Sequence, residues 1–191
     1  MKKIGLVLCF VLLMSVMTGC TDYAEEYDKN TLVVKGDGSL VEVAVEDFSE
    51  SSVTAMDLTA YIEKQIDTYN TEQDDEVVKN VTFLTEDMSK VKLVLEYENI
   101  DSYNGFNLLD CALADFSELE ENELKGSFTS ANGDSVKVSK MEGTKKAKVL
   151  VMSQATDVVV DGDILYYNKE VTVKDGVATT SGEDDAIIIF K

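Results

Sequence analysis

The chain has 191 residues, 45% of them hydrophobic, and a formal net charge of -20 at pH 7. That apolar content is enough for one real core, so the acidic balance does not make this a disordered chain. His and Arg are both missing, which removes the side chain that titrates nearest neutrality and the bidentate clamp for phosphate. Nucleic-acid binding, phosphoryl transfer, His-activated hydrolysis and His-ligated zinc are therefore disfavoured.

The first segment, MKKIGLVLCFVLLMSVMTGC, opens on Lys2 and Lys3 and is uncharged from Ile4 to Met17. As a helix this run of about 14 residues reaches about 21 Å, short of the roughly 30 Å hydrocarbon core. It predicts a cleaved leader over residues 1–19, not a membrane span. Met17-Thr18-Gly19-Cys20 resembles the lipobox of bacterial lipoproteins, with Met17 where Leu is commoner. The resemblance implies acylation of Cys20 and a lipid anchor in the cell membrane, with the protein on the extracytoplasmic face; two acyl chains anchor stably where one is marginal. Without the leader, 15 Lys face 37 Asp and Glu, a net charge of about -22. The polar TDYAEEYDKN that follows predicts a lipidated tether over 20–30, then a single domain over 31–191 that would divide, if it formed lobes, into 31–122 and 123–191. The stretch TLVVKGDGSLVEVAVEDF and the ending AIIIFK are similar to uncharacterised lipoproteins of anaerobic Gram-positive bacteria, a likeness that brings no activity with it.

Two apolar runs, Thr31 to Lys35 and Ser39 to Val45, flank Gly36-Asp37-Gly38 and predict a hairpin, with Glu42 and Ala44 set against Leu40, Val41, Val43 and Val45. From Thr54 to Asn70, Leu58, Tyr61, Ile62, Ile66 and Tyr69 follow the spacing of one helix face. Val77 to Leu84 and Val91 to Tyr97, joined by a polar turn, predict a second hairpin with one buried face. The order strand, turn, strand, helix thus occurs twice. Asp101 would cap a second helix with Tyr103, Phe106, Leu109 or Asp110, and Leu113 on one face, although Asn104-Gly105 weakens its first turn. It should end before the acidic run Glu118 to Glu123. From Lys125 onward, Gly-centred turns imply six or so short strands closing on Ala186 to Phe190. The expected class is α+β, with two helices and antiparallel hairpins in the N-terminal half and a β-rich C-terminal half.

Few residues suggest chemistry. Cys111 is the one thiol left after the leader and Cys20, and its apolar, helical-looking neighbours predict a buried, inert group. Asp161 and Asp163, with Glu183, Asp184 and Asp185, are the best candidate calcium ligands, because turns of adjacent strands could bring them together; a solvated loop is the plainer reading. Paired carboxylates could also support glycoside hydrolysis, but among 37 acids some pair always has the required separation. Lys137, Lys140, Lys145, Lys146 and Lys148 form the one basic stretch of the mature domain. They suit contact with an anionic polymer, headgroup or acidic partner, or else are solvent-facing Lys on a strand and turn. Tyr166 and Tyr167 should point to opposite faces of a strand, leaving one as an interaction handle. No cofactor is implied. The reading as a whole is a non-catalytic surface lipoprotein that binds an envelope protein or polymer, with a calcium-responsive domain or a carboxylate-based cell-wall hydrolase as alternatives.

Overall fold

In the computed structural model the described residues are 21–85, 88–120, 124 and 126–191; the leader and Cys20 lie outside them. Strands β1 (Thr31–Val34) and β2 (Leu40–Glu46) form the first hairpin, its turn closed by Gly38 at φ 93. Helix α2 (Ala55–Gln73) begins in a capping box. Thr54 Oγ1 accepts from the Asp57 backbone N–H at 3.2 Å, and the Asp57 carboxylate accepts from the Thr54 N–H at 3.3 Å. Ile62, Ile66 and Tyr69 face the core as expected, whereas Tyr61 is 61% exposed: the helix docks by a narrower stripe than its sequence offers. Strands β3 (Val78–Thr85) and β4 (Val91–Tyr97) make the second hairpin.

Helix α3 differs from expectation. It spans Ile100–Asn107, and its cap is Asn99, whose side chain accepts from the Ser102 N–H, so Asp101 lies in the first turn. Leu108 ends it in the left-handed region at φ 56. The segment beyond is extended, because Asn104 clasps Cys111 through both its side-chain amide and its carbonyl oxygen, at 2.7 and 2.9 Å. Leu113 therefore belongs to strand β5 (Ala112–Asp115) and not to a helix.

Eight further strands complete the chain: β6 (Phe128–Ser130), β7 (Ser135–Val136), β8 (Lys148–Met152), β9 (Asp157–Val160), β10 (Ile164–Asn168), β11 (Val171–Lys174), β12 (Val177–Thr180) and β13 (Ala186–Phe190). They join the earlier strands in two sheets, ordered β11-β12-β9-β1-β2-β4-β3 and β5-β8-β13-β10-β6-β7. All pairings are antiparallel except β1 with β9. The class is α+β and strand-rich. Division into lobes at residue 122 does not occur, since each sheet takes strands from both halves of the chain.

Period-two alternation assigns each strand residue to a layer. Leu32, Val34, Leu40, Leu95 and Tyr97 of the first sheet meet Leu150, Met152, Ile188 and Phe190 of the second in the central core, which Ile66 and Tyr103 of the helices complete. The opposite side of the first sheet, with Val33, Val41, Val43 and Val94, is covered by helix α1 (Thr21–Glu26) through Ala24, Tyr23 and Tyr27. The opposite side of the second, with Val149, Ile187 and Ile189, is covered by Val138 and Met141.

Helix α1 corrects the tether. Ala24 is 1% exposed, and the Lys92 ammonium donates to the α1-end carbonyls of Ala24 and Tyr27 at 2.6 and 2.8 Å, where the helix dipole favours a cation. Lys90 and Lys92 also hold the Asp28 carboxyl down to about 2 by hydrogen bonding. A flexible tether would accept any substitution at Ala24, but a docked helix will not. Ala24→Asp should lower the unfolding free energy in urea by about 1–3 kcal/mol, with helix undocking setting the upper limit; an unchanged midpoint would show that residues 21–28 do not pack.

Candidate functional site

Glu42 faces inward. In the register of β2 it lies opposite Leu32 of β1 and Leu95 of β4, both central-core residues, so its carboxylate enters the layer between the sheets. The sequence suggested the other orientation, on the assumption of one wet face. The structure shows why it fails: in the neighbouring β1 four successive residues, Thr31 to Val34, are buried. A strand covered on both sides leaves its neighbour no solvent face for a charge.

The carboxylate is held on one side only. The Tyr97 hydroxyl donates to Glu42 Oε2 at 2.6 Å, and the Asn107 amide donates to the same oxygen at 3.4 Å and to the Tyr97 oxygen at 3.0 Å. Glu42 Oε1 has no hydrogen-bond partner among the described residues, yet it is not sealed from solvent. It borders a cavity of about 220 Å³ between the β1–β2 pair, the end of α3 and the β8–β9 connection. Burial pushes the Glu42 carboxyl above its ordinary value, against the lowering effect of the two donors. Burial likewise raises Tyr97 and Tyr103, with the Glu42 charge acting in the same direction, so both phenols stay protonated.

Tyr103 lines the cavity, its ring edge-on to Tyr97 at 5.1 Å between centroids. Its hydroxyl also has no partner among the described residues and is open to solvent. Gln154, from the other wall, accepts from the Cys111 thiol at 3.0 Å. Burial, followed by the Asp110 charge, pushes that thiol up to about 11, which fits the inert group expected.

The residues singled out in the sequence fare differently. Asp161 and Asp163 sit at the β9–β10 turn, where Asp161 accepts from the Gly36 N–H at 3.3 Å and the Asp163 backbone pairs with Lys191. Glu183, Asp184 and Asp185 precede β13 at the far end of the β10–β13 pair, where Asp185 accepts from Ser153 and Asp184 lies 3.7 Å from Lys169. One strand length separates the two groups, and among the described residues no cluster of three or more metal-ligating side chains forms. The proposed calcium set is not assembled.

Lys137, Lys140, Lys145 and Lys146 are exposed, on or beside two 3₁₀ turns (Val138–Lys140 and Thr144–Lys146) and not on a strand. None of the four makes an ion pair among the described residues, whereas Lys148 is 3.5 Å from Asp115. The 3₁₀ turn Phe116–Glu118 packs beside Thr144–Lys146, so the lysine face has an acidic border. Tyr167 points into the central core and Tyr166 to the other side, as expected, but Tyr166 is no free handle. Its hydroxyl donates to the Glu142 carbonyl at 3.1 Å and accepts from the Glu142 N–H at 2.8 Å, clasping the lysine-bearing loop to the sheet. No family model, curated protein or solved structure matches the chain.

Because the folded Glu42 binds its proton more tightly than the unfolded chain does, stability is highest below the ordinary carboxyl value of 4.5 and falls as pH rises through the raised folded value. Glu42→Gln keeps an acceptor for Tyr97 and removes the charge. Its urea midpoint should exceed the parent's at pH 7 and the difference should close as pH approaches 4.5. A constant difference across that range would mean that Glu42 titrates normally.

Proposed function

We propose that the chain is a non-catalytic, membrane-anchored lipoprotein of the bacterial envelope whose lysine face binds an anionic polymer or acidic protein outside the cell. The observation that carries this reading is the leader: a positive start, an apolar run too short to span a bilayer, and a Gly19-Cys20 junction. The lack of His and Arg supports a binding role over a catalytic one.

The layered fold agrees with this. Cys20 immediately precedes α1, so an acyl anchor there would hold the outer side of the first sheet toward the bilayer with little slack. The lysines cover the outer side of the second sheet, across the molecule. With sheets about 10 Å apart and a covering layer on each, they would stand roughly 30 Å from the headgroups. At physiological ionic strength screening acts over about 8 Å, so this face would respond to what lies beyond the membrane and not to the lipid or to the acids on the far side.

Cys20→Ala should move the protein from the membrane fraction to the soluble fraction and abolish labelling by radioactive palmitate; retention of label would disprove the anchor. Reversing Lys137, Lys140, Lys145 and Lys146 to Glu should lower retention on purified anionic wall polymer at least tenfold at low salt, with the parent's retention falling steeply as salt is added. Equal retention of parent and variant would rule out the lysine face as the docking surface.

A further inference from the structure

We infer that the cavity beside Glu42 is a binding site for a small organic ammonium ion, whose N–H groups are taken by Glu42 Oε1 and the Tyr103 hydroxyl. This goes beyond the envelope reading and does not rest on it, since the site includes neither Cys20 nor the lysine face.

Charge selects the ligand class. The charged side chains of the lining are Glu42, half-buried, and Glu46, exposed and four residues along the same strand; no Lys lines it. Residues four apart on a strand share a face about 13 Å apart, so one carboxylate is seated inside and the other draws cations to the same side. An anion would be repelled at both points. A neutral ligand would leave the half-buried charge without compensation, which is the costlier arrangement.

Unused hydrogen-bonding capacity selects the group. Glu42 Oε2 is occupied by Tyr97 and Asn107, which fixes the carboxylate and leaves the other oxygen of this cavity-lining residue without a partner among the described residues. Tyr103 is 3% exposed and held edge-on by Tyr97, yet its hydroxyl is engaged by no described residue. A carboxylate oxygen from β2 and a phenol oxygen from α3, both on residues that line the cavity, present two acceptors to a donor-rich cation. Hard metal ions need six or more oxygens, and no group of three acidic or other metal-ligating side chains exists among the described residues. Leu32 and Leu109 supply an apolar wall for the carbon part of the ligand, something a hydrated inorganic ion cannot use. The volume of about 220 Å³, near seven waters at about 30 Å³ each, limits the ligand to a short-chain amine or an amino headgroup.

The test uses the purified full chain in mild detergent, with n-butylammonium chloride as probe. Sodium chloride at matched ionic strength and n-butanol serve as the inorganic and uncharged controls, read by thermal shift and titration calorimetry. Butylammonium should raise Tm and give a saturable heat, and the controls should not. Glu42→Gln should weaken the affinity tenfold or more and Tyr103→Phe several-fold, each with a parent-like circular dichroism spectrum. Glu46→Gln, which removes the same charge from the mouth, should change it less than threefold. Should Glu42→Gln fail to fold, Tyr103→Phe against Glu46→Gln still decides. Equal response to butylammonium and sodium, undiminished binding by Glu42→Gln or Tyr103→Phe, or equal losses in Glu42→Gln and Glu46→Gln would overturn the assignment.

Discussion

Every part of this structure answers to one constraint: both sheets are apolar on both sides, so each needs two covers. The sheets supply the inner pair by packing on one another and on α2 and α3. The outer pair comes from very short pieces, the six-residue α1 and the loop of two 3₁₀ turns. Neither piece is long enough to form alone, since isolated helices under about 12 residues are marginal in water. Each is fastened by one long side chain reaching out from the sheet below. Lys92 takes the carbonyls at the end of α1, and Tyr166 takes both backbone groups of Glu142. These polar clasps fix covers whose apolar contacts alone are few.

Covering both sides has a cost in the middle. With the outer face of β2 closed by α1, Glu42 is directed into the central core between Leu32 and Leu95, where a Leu would satisfy the local pattern better. Tyr97 and Asn107 relieve one of its oxygens and leave the other. A residue that violates an otherwise consistent local pattern, next to a cavity and a second unengaged polar atom, marks a place where folding was not the only requirement. The same reasoning separates Glu42 from the many exposed acids, whose charges are satisfied by water at no cost to packing.

How much was legible in the sequence follows from where the information is local. The hairpin around Gly36-Asp37-Gly38, the amphipathic helix after Thr54, and the closing strand AIIIF were all readable, because turn chemistry, helical spacing and a continuous apolar run are properties of neighbours in the chain. The end of α3 was not, because it depends on Asn104 bonding Cys111, a contact that competes with helix continuation and leaves no periodic trace. Nor was the orientation of Glu42. Alternation separates a strand's two faces but cannot say that both are dry; that depended on residues 21–28 folding back, and their acidic composition resembles a linker. The calcium set failed for a topological reason. Asp161 and Glu183 both belong to turns next to the β10–β13 pair, but register places those turns at opposite ends of it.

The arrangement of two sheets and two covers also separates the molecule's surfaces. The side covered by α1 is next to Cys20 in sequence, and the side covered by the 3₁₀ turns carries four lysines with no ion pair among the described residues. The Glu42 cavity lies in neither cover; its walls are the inner side of β1 and β2, the end of α3 and the β8–β9 connection. A small cation could therefore reach it while both outer sides are engaged, and the two clasps lie on opposite outer sides of the sheets from that wall. The α1 cover, the lysine face and the inner cavity are thus mechanically separable: loss of either cover acts on the cavity only through the sheet it covers. Glu42 lies in the layer between the sheets, half-buried and at the border of a cavity, so its charge is shielded in part and still reachable.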